Sequence, residues 1–272
     1  MNAPAPALRN TPALLRENRD GIALLTMNRP EQRNTLSELM LASFAENLAQ
    51  IAADRAVRAV VLRAQGPVFS AGHDLKELTA RRSDADGGKH YFQHIMETCS
   101  SVMQAIVGLP QPVIAAVQGV ATAAGCQLVA TCDLAVASAK AQFCTPGVDI
   151  GLFCSTPMVA LSRNVAPKHA MEMLLTGDMI SADEAHRIGL VNRVVEPGGE
   201  TEAALALARK ITEKSSLVVK IGKEAFYRQI EMSIAEAYDY AANVMVENML
   251  TRDAQEGIGA FIDKREPDWE DR

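Results

Sequence analysis

The sequence predicts an α/β core that extends to about residue 200, followed by a helical C-terminal region. Two observations favour this fold class. Short apolar runs that end in turn formers alternate with stretches of helical periodicity in the first part of the chain. After about residue 155 the strand signals stop and helical patterns continue alone. With 272 residues, 48% of them hydrophobic, the chain is long enough to bury a full core.

The first twenty residues are predicted to be a loose tail. They are rich in Pro and Ala and lack the apolar run of a secretory signal. Their three arginines leave a short organellar targeting segment open as an alternative, although Glu17 and Asp20 are acidic. The predicted division is therefore a tail over 1–20, a core over 21–200 and a helical region over 201–272.

Four short segments are predicted strands of the core. Residues 21–27 are apolar and end at the turn formers that include Pro30, and residues 59–63 end at a Gly-Pro pair. The fully apolar runs 112–117 and 134–137 are typical of buried strands. Between the first two strands, apolar residues recur at helical spacing from Leu36 to Ile51.

The helical region is predicted from periodicity and capping signals. Ser181 and Glu184 have the spacing of a capping box, and Asp253 with Glu256 repeats the spacing with Asp as the cap. Four further segments carry apolar residues at helical spacing: 201–214, 217–229, 234–251 and 254–264.

Charge and cysteine content exclude several classes of function. A net charge of −6 argues against a nucleic-acid partner, which needs a basic surface. The five cysteines form no CxxC pair and no metal-ligand spacing, which predicts buried thiols, no metal and a reducing, cytoplasmic compartment. No run of about 18 apolar residues exists, so no membrane-spanning helix is predicted.

The first segment that could form part of a functional site is 69–78, FSAGHDLKEL. Its Gly72 permits a sharp turn that exposes backbone N–H groups. Asp74 stands where a helix would begin, and Lys76 supplies a cation. Taken alone, the segment equally fits a capped loop with a solvated lysine.

The second segment is 118–133, QGVATAAGCQLVATCD. An apolar strand leads into Gly119, and small residues including Ala123 and Ala124 then open a helix. Small side chains allow the backbone to approach a ligand closely, but they equally suit tight packing of a helix on a strand.

Together the two segments resemble the signature of the enoyl-CoA hydratase/isomerase (crotonase) superfamily. The first resembles F-[CS]-[AS]-G-x-D-[LI]-K-E, and the second keeps the spacing of N-G-x-A-x-G-G-G-x-E-L-A-x-x-C-D. Further matches follow in order: Asn28–Arg29–Pro30 with Asn34 and Leu36, Ser181–Ala182 through Gly189–Leu190–Val191, and Glu256–Gly257 through Phe261 to Lys264–Arg265. The resemblance covers roughly residues 15–266 and extends to the hydratase-domain-containing subgroup without paired catalytic glutamates.

This resemblance implies a ligand and a site. The ligand would be a coenzyme A thioester, with coenzyme A as part of the substrate and no bound prosthetic group. The backbone N–H groups of His73 and Ala124 would form an oxyanion hole for the thioester carbonyl. The substrate path would be lined by these two residues and by Ala71, Asp74, Leu75 and Lys76, with Phe261 and Lys264 reaching the nucleotide of a neighbouring subunit.

The chain departs from the hydratases at both catalytic carboxylates. Gln127 and Gly147 stand at the positions of the two glutamates. Addition of water to an enoyl thioester needs one group that deprotonates water and a proton delivered to the α-carbon. Loss of each role typically costs about 10²–10⁴-fold in rate, so we expect poor hydration.

Other side chains are candidates for the missing acid and base. Asp149 lies two residues beyond the vacant position but equally fits a solvated turn residue. The imidazole of His73 would titrate near neutrality, whether it points into the site or outward. His94 fits a surface position, and Asp133 fits a structural role.

Two classes of function therefore stay open. One is an acyl-CoA enzyme that stabilises an oxyanion, such as an isomerase, a thioesterase, or a lyase such as a decarboxylase, in fatty acid metabolism. The other is a non-catalytic acyl-CoA binding or regulatory protein. The resemblance also implies the family's spiral of ββα units, a helical trimerisation region, and a homotrimer or a hexamer built as a dimer of trimers.

Overall fold

The computed structural model describes residues 11–272, which contain two β-sheets and eleven α-helices. The strands are β1 (Leu14–Arg19), β2 (Ile22–Met27), β3 (Ala59–Ala64), β4 (Val68–Ser70), β5 (Val113–Val117), β6 (Val120–Thr122), β7 (Leu134–Ser138), β8 (Gln142–Cys144), β9 (Ile180–Ser181) and β10 (Arg193–Val195). The larger sheet has the order β1-β2-β3-β5-β7-β10, in which β1 alone is antiparallel to its neighbour. The smaller sheet has the order β4-β6-β8-β9.

The helices lie between and after these strands. They are α1 (Glu38–Ala53), α2 (Leu75–Ala80), α3 (Lys89–Gly108), α4 (Ala124–Thr131), α5 (Ser155–Asn164), α6 (Pro167–Thr176), α7 (Ala182–Arg187), α8 (Glu200–Thr212), α9 (Ser216–Gln229), α10 (Ile234–Met249) and α11 (Arg252–Asp263). None of the helices in the part of the chain described is long and apolar enough to cross a membrane.

Three successive ββα units build the core as a spiral. Strands β3, β5 and β7 of the large sheet are each followed by one short strand of the small sheet and then by helix. Because β4, β6 and β8 are parallel neighbours, the segments that follow them lie at the same edge of the small sheet. This arrangement confirms the predicted fold and brings the two motif segments together.

The large sheet is covered on both faces. Alternate residues of β3 point to opposite sides, so that Val60 and Leu62 join the main core while Ala59 and Val61 join a second cluster. Ala204 and Ala208 of α8 complete that second cluster. The boundary predicted near residue 200 therefore falls between the large sheet and a helix that covers one of its faces.

Residues 14–19, which the sequence predicted to be part of a loose tail, form β1. They pair with β2 from Leu14 opposite Met27 to Arg19 opposite Ile22. Asp20 and Gly21 make the turn with φ values of 51° and 76°. The Asp-Gly pair is a strong hairpin signal that the prediction overlooked. Residues 1–10 of the predicted tail lie outside the described residues.

Two predictions about the C-terminal half were wrong in detail. Strands β9 and β10 lie beyond residue 155, and they are too short to produce an alternating pattern. The cap of α11 is Thr251, whose Oγ accepts from the N–H of Ala254 at 3.2 Å. Asp253 is buried and instead accepts from backbone N–H groups of Glu270 and Asp271. The cap at Ser181 is confirmed.

Candidate active site

The first motif segment is a loop held on both sides by backbone hydrogen bonds. After β4, the N–H of Ala71 donates to the carbonyl of Arg33 at 3.0 Å, and the N–H of Leu36 donates to the carbonyl of Gly72 at 2.8 Å. Ser70 Oγ accepts from the N–H of Gly72 at 3.3 Å. The backbone around His73 is therefore fixed before any ligand arrives.

Asp74 ends this loop as the N-cap of α2. Its Oδ1 accepts from the N–H groups of Lys76 at 2.9 Å and Glu77 at 3.2 Å. Its carboxylate is thereby used to start the helix, as the sequence predicted. Leu75 and Lys76 are exposed on the first turn of α2, where the lysine cation is open to solvent.

The second motif segment turns from β6 into α4 at Ala123. Ala123 has a φ of 49° and a ψ of −119°, its N–H donates to the carbonyl of Cys144, and its carbonyl accepts from the N–H of Gln127. Ala124 is the first helical residue, and the first N–H groups of a helix have no intrahelical acceptor. The N–H of Ala124 is left available by this geometry.

The two segments meet at Gly72. A β-carbon at position 72 would lie 3.2 Å from the nitrogen of Ala124 and 3.0 Å from the β-carbon of Ala123. Gly72 has a φ of 82°, a conformation that favours glycine. The N–H groups of His73 and Ala124 therefore belong to adjacent turns, and neither donates to an acceptor within residues 11–272.

The imidazole of His73 lies within the protein beside these turns. Both ring nitrogens are shielded from solvent, and in the described part of the chain the backbone of Leu36 is the one polar group that acts on the pKa of the ring. Burial lowers the pKa of His73 below its ordinary value, which favours the neutral ring near pH 7. A neutral imidazole has one donor and one acceptor nitrogen.

Gln127 lies one turn into α4, at the first vacant glutamate position. Its side chain is on the same helix face as Ala124, because residues three apart are neighbours on a helix. Long helical side chains generally point back toward the N-terminus of their helix. Gln127 is only 5% exposed, and its Oε1 has no partner among residues 11–272.

Gly147, the second vacant position, has no space for a side chain. It is buried in a 3₁₀ turn over Pro146–Ile150. A β-carbon there would lie 2.9 Å from Cys154 Sγ and 3.0 Å from the carbonyl oxygen of Leu152. The Cys154 thiol thus occupies space that a side chain at position 147 would need. Burial raises the pKa of that thiol, which keeps it protonated.

No pattern in the sequence indicates this replacement, because Cys154 is seven residues from Gly147 and matches no catalytic pattern. The five cysteines are all free and buried, which confirms the prediction of core thiols. Burial also raises the pKa of Cys144, to about 11, so this neighbour of Cys154 is not a thiolate at neutral pH.

The remaining candidate site residues lie elsewhere in the protein. Asp149 is exposed, and its Oδ2 lies 3.1 Å from where a β-carbon at Gly177 would be. His94 is exposed on α3, which confirms the surface position. Phe261 is 85% exposed on α11, and Lys264 ends that helix. All four residues are exposed, whereas Gln127 is buried and His73 is half-buried.

Asp133 has the structural role that the sequence predicted for it. Its Oδ2 accepts from Lys223 Nζ and from the N–H of Val113, both at 2.7 Å, and its Oδ1 accepts from Tyr227 Oη at 2.9 Å. Lys223 also donates to the carbonyl of Gln111. This cluster attaches α9 to the segment that follows α4.

Comparison with known proteins gives these features a context. The family model described as "Enoyl-CoA hydratase/isomerase" matches residues 17–272. The rat protein "Enoyl-CoA hydratase domain-containing protein 3, mitochondrial" is 48% identical over 92% of this chain and 82% of its own. A crystal structure of an enoyl-CoA hydratase from Mycobacterium smegmatis shares 50% identity over 95% of this chain and 99% of its own, with a TM-score of 0.90.

The crystal structure of the human enoyl Coenzyme A hydratase domain-containing protein 3 is equally similar in fold. It is 47% identical, covers 94% of this chain and 100% of its own, and has a TM-score of 0.90. Family model, curated relative and solved structures agree with the two motif segments and with the spiral of ββα units. The chain belongs to the enoyl-CoA hydratase/isomerase family of enzymes, also called the crotonase superfamily, and within it to the hydratase-domain-containing subgroup.

Proposed function

We propose that this protein binds an acyl-CoA thioester and stabilises negative charge on the thioester oxygen through the N–H groups of His73 and Ala124. The observation that carries the proposal is the contact between the two loops at Gly72, which places two unused donors on adjacent turns. Family membership and the names of the relatives support the same ligand class.

Such an arrangement favours reactions that pass through an enolate or a tetrahedral oxyanion. Each preorganised donor in a dry site contributes about 2.7–4 kcal/mol to lowering the barrier. The loop bonds at Ala71 and Leu36 fix the backbone in advance, and Gln127 on the adjoining helix is only 5% exposed. Isomerisation, thioester hydrolysis and decarboxylation all meet this requirement.

Efficient hydration is not the reaction that we propose. Gln127 cannot exchange a proton near neutral pH, and Gly147 has no side chain. The thiol that occupies the space at 147 is held protonated by burial. Neither vacant position therefore supplies a carboxylate general base.

The coenzyme would lie along the start of α2. Ala71 and Asp74 shape this path, and the exposed Leu75 and Lys76 would contact pantetheine and phosphates. We propose no prosthetic group, since coenzyme A is part of the substrate. Phe261 and Lys264 would contact the nucleotide of a neighbouring subunit.

The test measures turnover of acyl-CoA thioesters by the unmodified protein and by Ala124→Pro, with Ala124→Gly as the control that keeps the N–H. Proline is accepted at the first helical position, although it also restricts the backbone of Ala123 before it. We expect about 10²–10³-fold lower turnover in Ala124→Pro than in Ala124→Gly. Equal turnover by the two variants would contradict the oxyanion hole.

Hydration of crotonyl-CoA, followed by loss of enoyl absorbance, is the companion assay. We expect hydration far slower than that of a hydratase with both glutamates, by about 10⁴-fold or more if both acid–base roles are lost. Turnover near normal enzyme rates would contradict the argument from the missing carboxylates.

A non-catalytic acyl-CoA binding protein is the second candidate. It is favoured by the absence of a carboxylate at positions 127 and 147. Binding of thioesters without turnover of any of them would support this candidate over an enzyme.

We also propose a homotrimer, or a hexamer that is a dimer of trimers. The C-terminal helices carry large exposed apolar residues that a monomer would leave in water: Phe226, Ile230, Ile234, Tyr238, Met245, Val246, Met249, Leu250, Ile258, Phe261 and Ile262. Exposed apolar surface of this extent marks an interface. Light scattering after size exclusion gives the mass directly, and a monomer would contradict the proposal.

The cytoplasmic location predicted from cysteine usage stays a prediction. The names of the rat and human relatives call those proteins mitochondrial. Fluorescence imaging of the tagged protein, with and without residues 1–10, would separate the two compartments and leaves strand β1 in place.

A further inference from the structure

Helix α11 buries its polar face and exposes its apolar face. Residues three and four apart on one side of the helix are buried: Asp253, Glu256 and Ala260. The opposite side carries large apolar residues that are between 51% and 85% exposed: Ile258, Phe261 and Ile262. A surface helix usually has the reverse orientation, with its apolar stripe toward the core. The two inward carboxylates therefore need polar partners, since burial of an unpaired charge is costly.

Residues 265–272, which we name the C-terminal strap, provide these partners. The Asp253 carboxylate accepts from two backbone N–H groups of the strap, at 2.8 and 3.0 Å. The Glu256 carboxylate accepts from Arg265 Nη2 at 3.0 Å and from the N–H of Asp268 at 2.9 Å. Hydrogen bonds that involve an ionised group are stronger than neutral ones. The polar face of α11 is thus held inward by the strap.

The strap is also attached to the rest of the protein. Trp269 Nε1 donates to the carbonyl of Glu213 at 2.9 Å, at the end of α8. Asp271 Oδ1 accepts from the N–H of Ser216 at 2.7 Å, at the start of α9. The other oxygen of Asp271 pairs with Arg58 at 3.3 Å. The strap therefore connects α11 to the turn between α8 and α9.

The ring of Trp269 packs on α11 at a glycine. A β-carbon at Gly257 would lie 2.9 Å from Cη2 of this ring. At Gly259, on the same helix, the nearest neighbour of a β-carbon would be Arg265 Nη2, at 3.9 Å. The fit of the strap on the helix therefore depends on the absence of a side chain at position 257.

We propose that the C-terminal strap is an assembly device, which holds α11 with its apolar face outward so that a second copy of this chain covers that face. The exposed Met249 and Leu250 of the preceding segment belong to the surface already assigned to self-association, and α11 follows them directly in the chain. Homo-oligomers cover such surfaces with copies of the same chain. This inference rests on the proposed oligomer and is independent of the acyl-CoA site.

Two glycine substitutions on α11 form a matched test. Both Gly257→Ala and Gly259→Ala add one methyl group to the same helix, but only the first collides with Trp269. The chain has a single tryptophan, so its fluorescence reports the strap alone. In Gly257→Ala we expect easier quenching of Trp269 by acrylamide and self-association weakened by about tenfold, or about 1.4 kcal/mol. Gly259→Ala should keep the parent values of both.

A second pair tests the charged contact without a change in the helix. Arg265→Met removes the cation that pairs with Glu256, while Glu266→Gln changes the charge of the exposed neighbouring residue. Because hydrogen bonds to charged groups are lost, backbone amides of the strap should exchange with deuterium at least about tenfold faster in Arg265→Met. Light scattering over a dilution series should show weaker self-association in this variant, and Glu266→Gln should behave as the parent in both measurements.

Three results would overturn the inference, and each has a different meaning. Unchanged quenching and exchange in both Gly257→Ala and Arg265→Met would show that the strap does not hold α11. A loosened strap with unchanged self-association would show that assembly does not depend on it. A monomeric parent would refute the proposed oligomer and the inference together, whereas turnover of acyl-CoA thioesters by the same sample tests the proposed chemistry separately.

Discussion

Ala123 adopts a backbone conformation that L-alanine rarely takes, with a φ of 49° and a ψ of −119°. The family pattern has glycine at this turn, and glycine reaches positive φ without steric cost. Strain of this kind costs about 1–3 kcal/mol and persists where the surroundings hold it. Here the bond from the Ala123 N–H to Cys144 and the contact with Gly72 hold the turn that presents the N–H of Ala124.

Ala123→Gly should therefore raise the free energy of unfolding by about 1 kcal/mol, since it removes this strain. Ala130→Gly, inside helix α4, is the matched control and should lower the free energy of unfolding by about 1 kcal/mol. Urea unfolding of the three proteins measures both differences. A loss of stability in Ala123→Gly would mean that the turn is not strained.

Position 147 gives a second prediction at the residue scale. Gly147→Ala should cost about 1–3 kcal/mol, because its β-carbon meets Cys154 Sγ at 2.9 Å. In a Cys154→Ala background the thiol is gone and the added cost of Gly147→Ala should be smaller. A double-mutant cycle of unfolding free energies checks this, and strict additivity would show that the two side chains do not compete for space.

His73 predicts a dependence of stability on pH. Burial lowers its folded-state pKa, so below the unfolded value of 6.5 the unfolded chain binds the proton more readily. The contribution of the neutral His73 ring to the free energy of unfolding is complete above pH 6.5 and is lost as the pH falls toward the folded-state pKa. Melting temperature should decline less between pH 7 and 5 in His73→Leu than in the parent, with His94→Leu as the control.

At the scale of elements, α9 is attached to the core by a buried ion pair. Lys223 and Asp133 have side chains only 7% and 15% exposed, and Tyr227 and Val113 complete the bonds to the carboxylate. Burial lowers the pKa of Lys223, and the nearby Asp133 opposes that shift. Removal of one partner would leave an uncompensated charge inside the protein.

Lys223→Met should lose about 3–5 kcal/mol of unfolding free energy. Arg163→Met is the control, because it removes an ion pair to Glu231 in which both side chains are more than half exposed. We expect less than about 1 kcal/mol for that change. Chemical denaturation measures both, and similar losses in the two variants would contradict the role of the buried pair.

At the scale of the whole molecule, the sequence predicted the fold where a pattern repeats over enough residues. The four core strands are predicted by short apolar runs that end at turn formers, and the C-terminal helices by apolar residues that recur at helical spacing over many residues. Strands β9 and β10, of two and three residues, are fixed by pairing with distant strands and leave no local pattern. The resemblance of the two motifs, rather than periodicity, predicted that His73 and Ala124 lie on adjacent turns.

The side-chain environment of the site was much less predictable. Burial of the His73 ring depends on packing between distant segments, and spacing along the chain does not encode it. The contact between Cys154 and position 147 likewise arises from a 3₁₀ turn that brings residues seven apart together. The sequence predicts that position 127 lacks the carboxylate of the hydratases. That the side-chain oxygen of Gln127 is buried without a hydrogen-bond partner is visible only in the structure.

Helix α4 links two features that have so far been described separately. Its first residue, Ala124, has an N–H with no acceptor inside the helix, and Asp133, which accepts from Lys223 and Tyr227 of α9, lies two residues beyond its end. Eight residues of helix span only about 12 Å. The attachment of α9 and the turn at Ala124 are therefore opposite ends of one short element, and Lys223→Met perturbs the far end of the helix that begins at the candidate site.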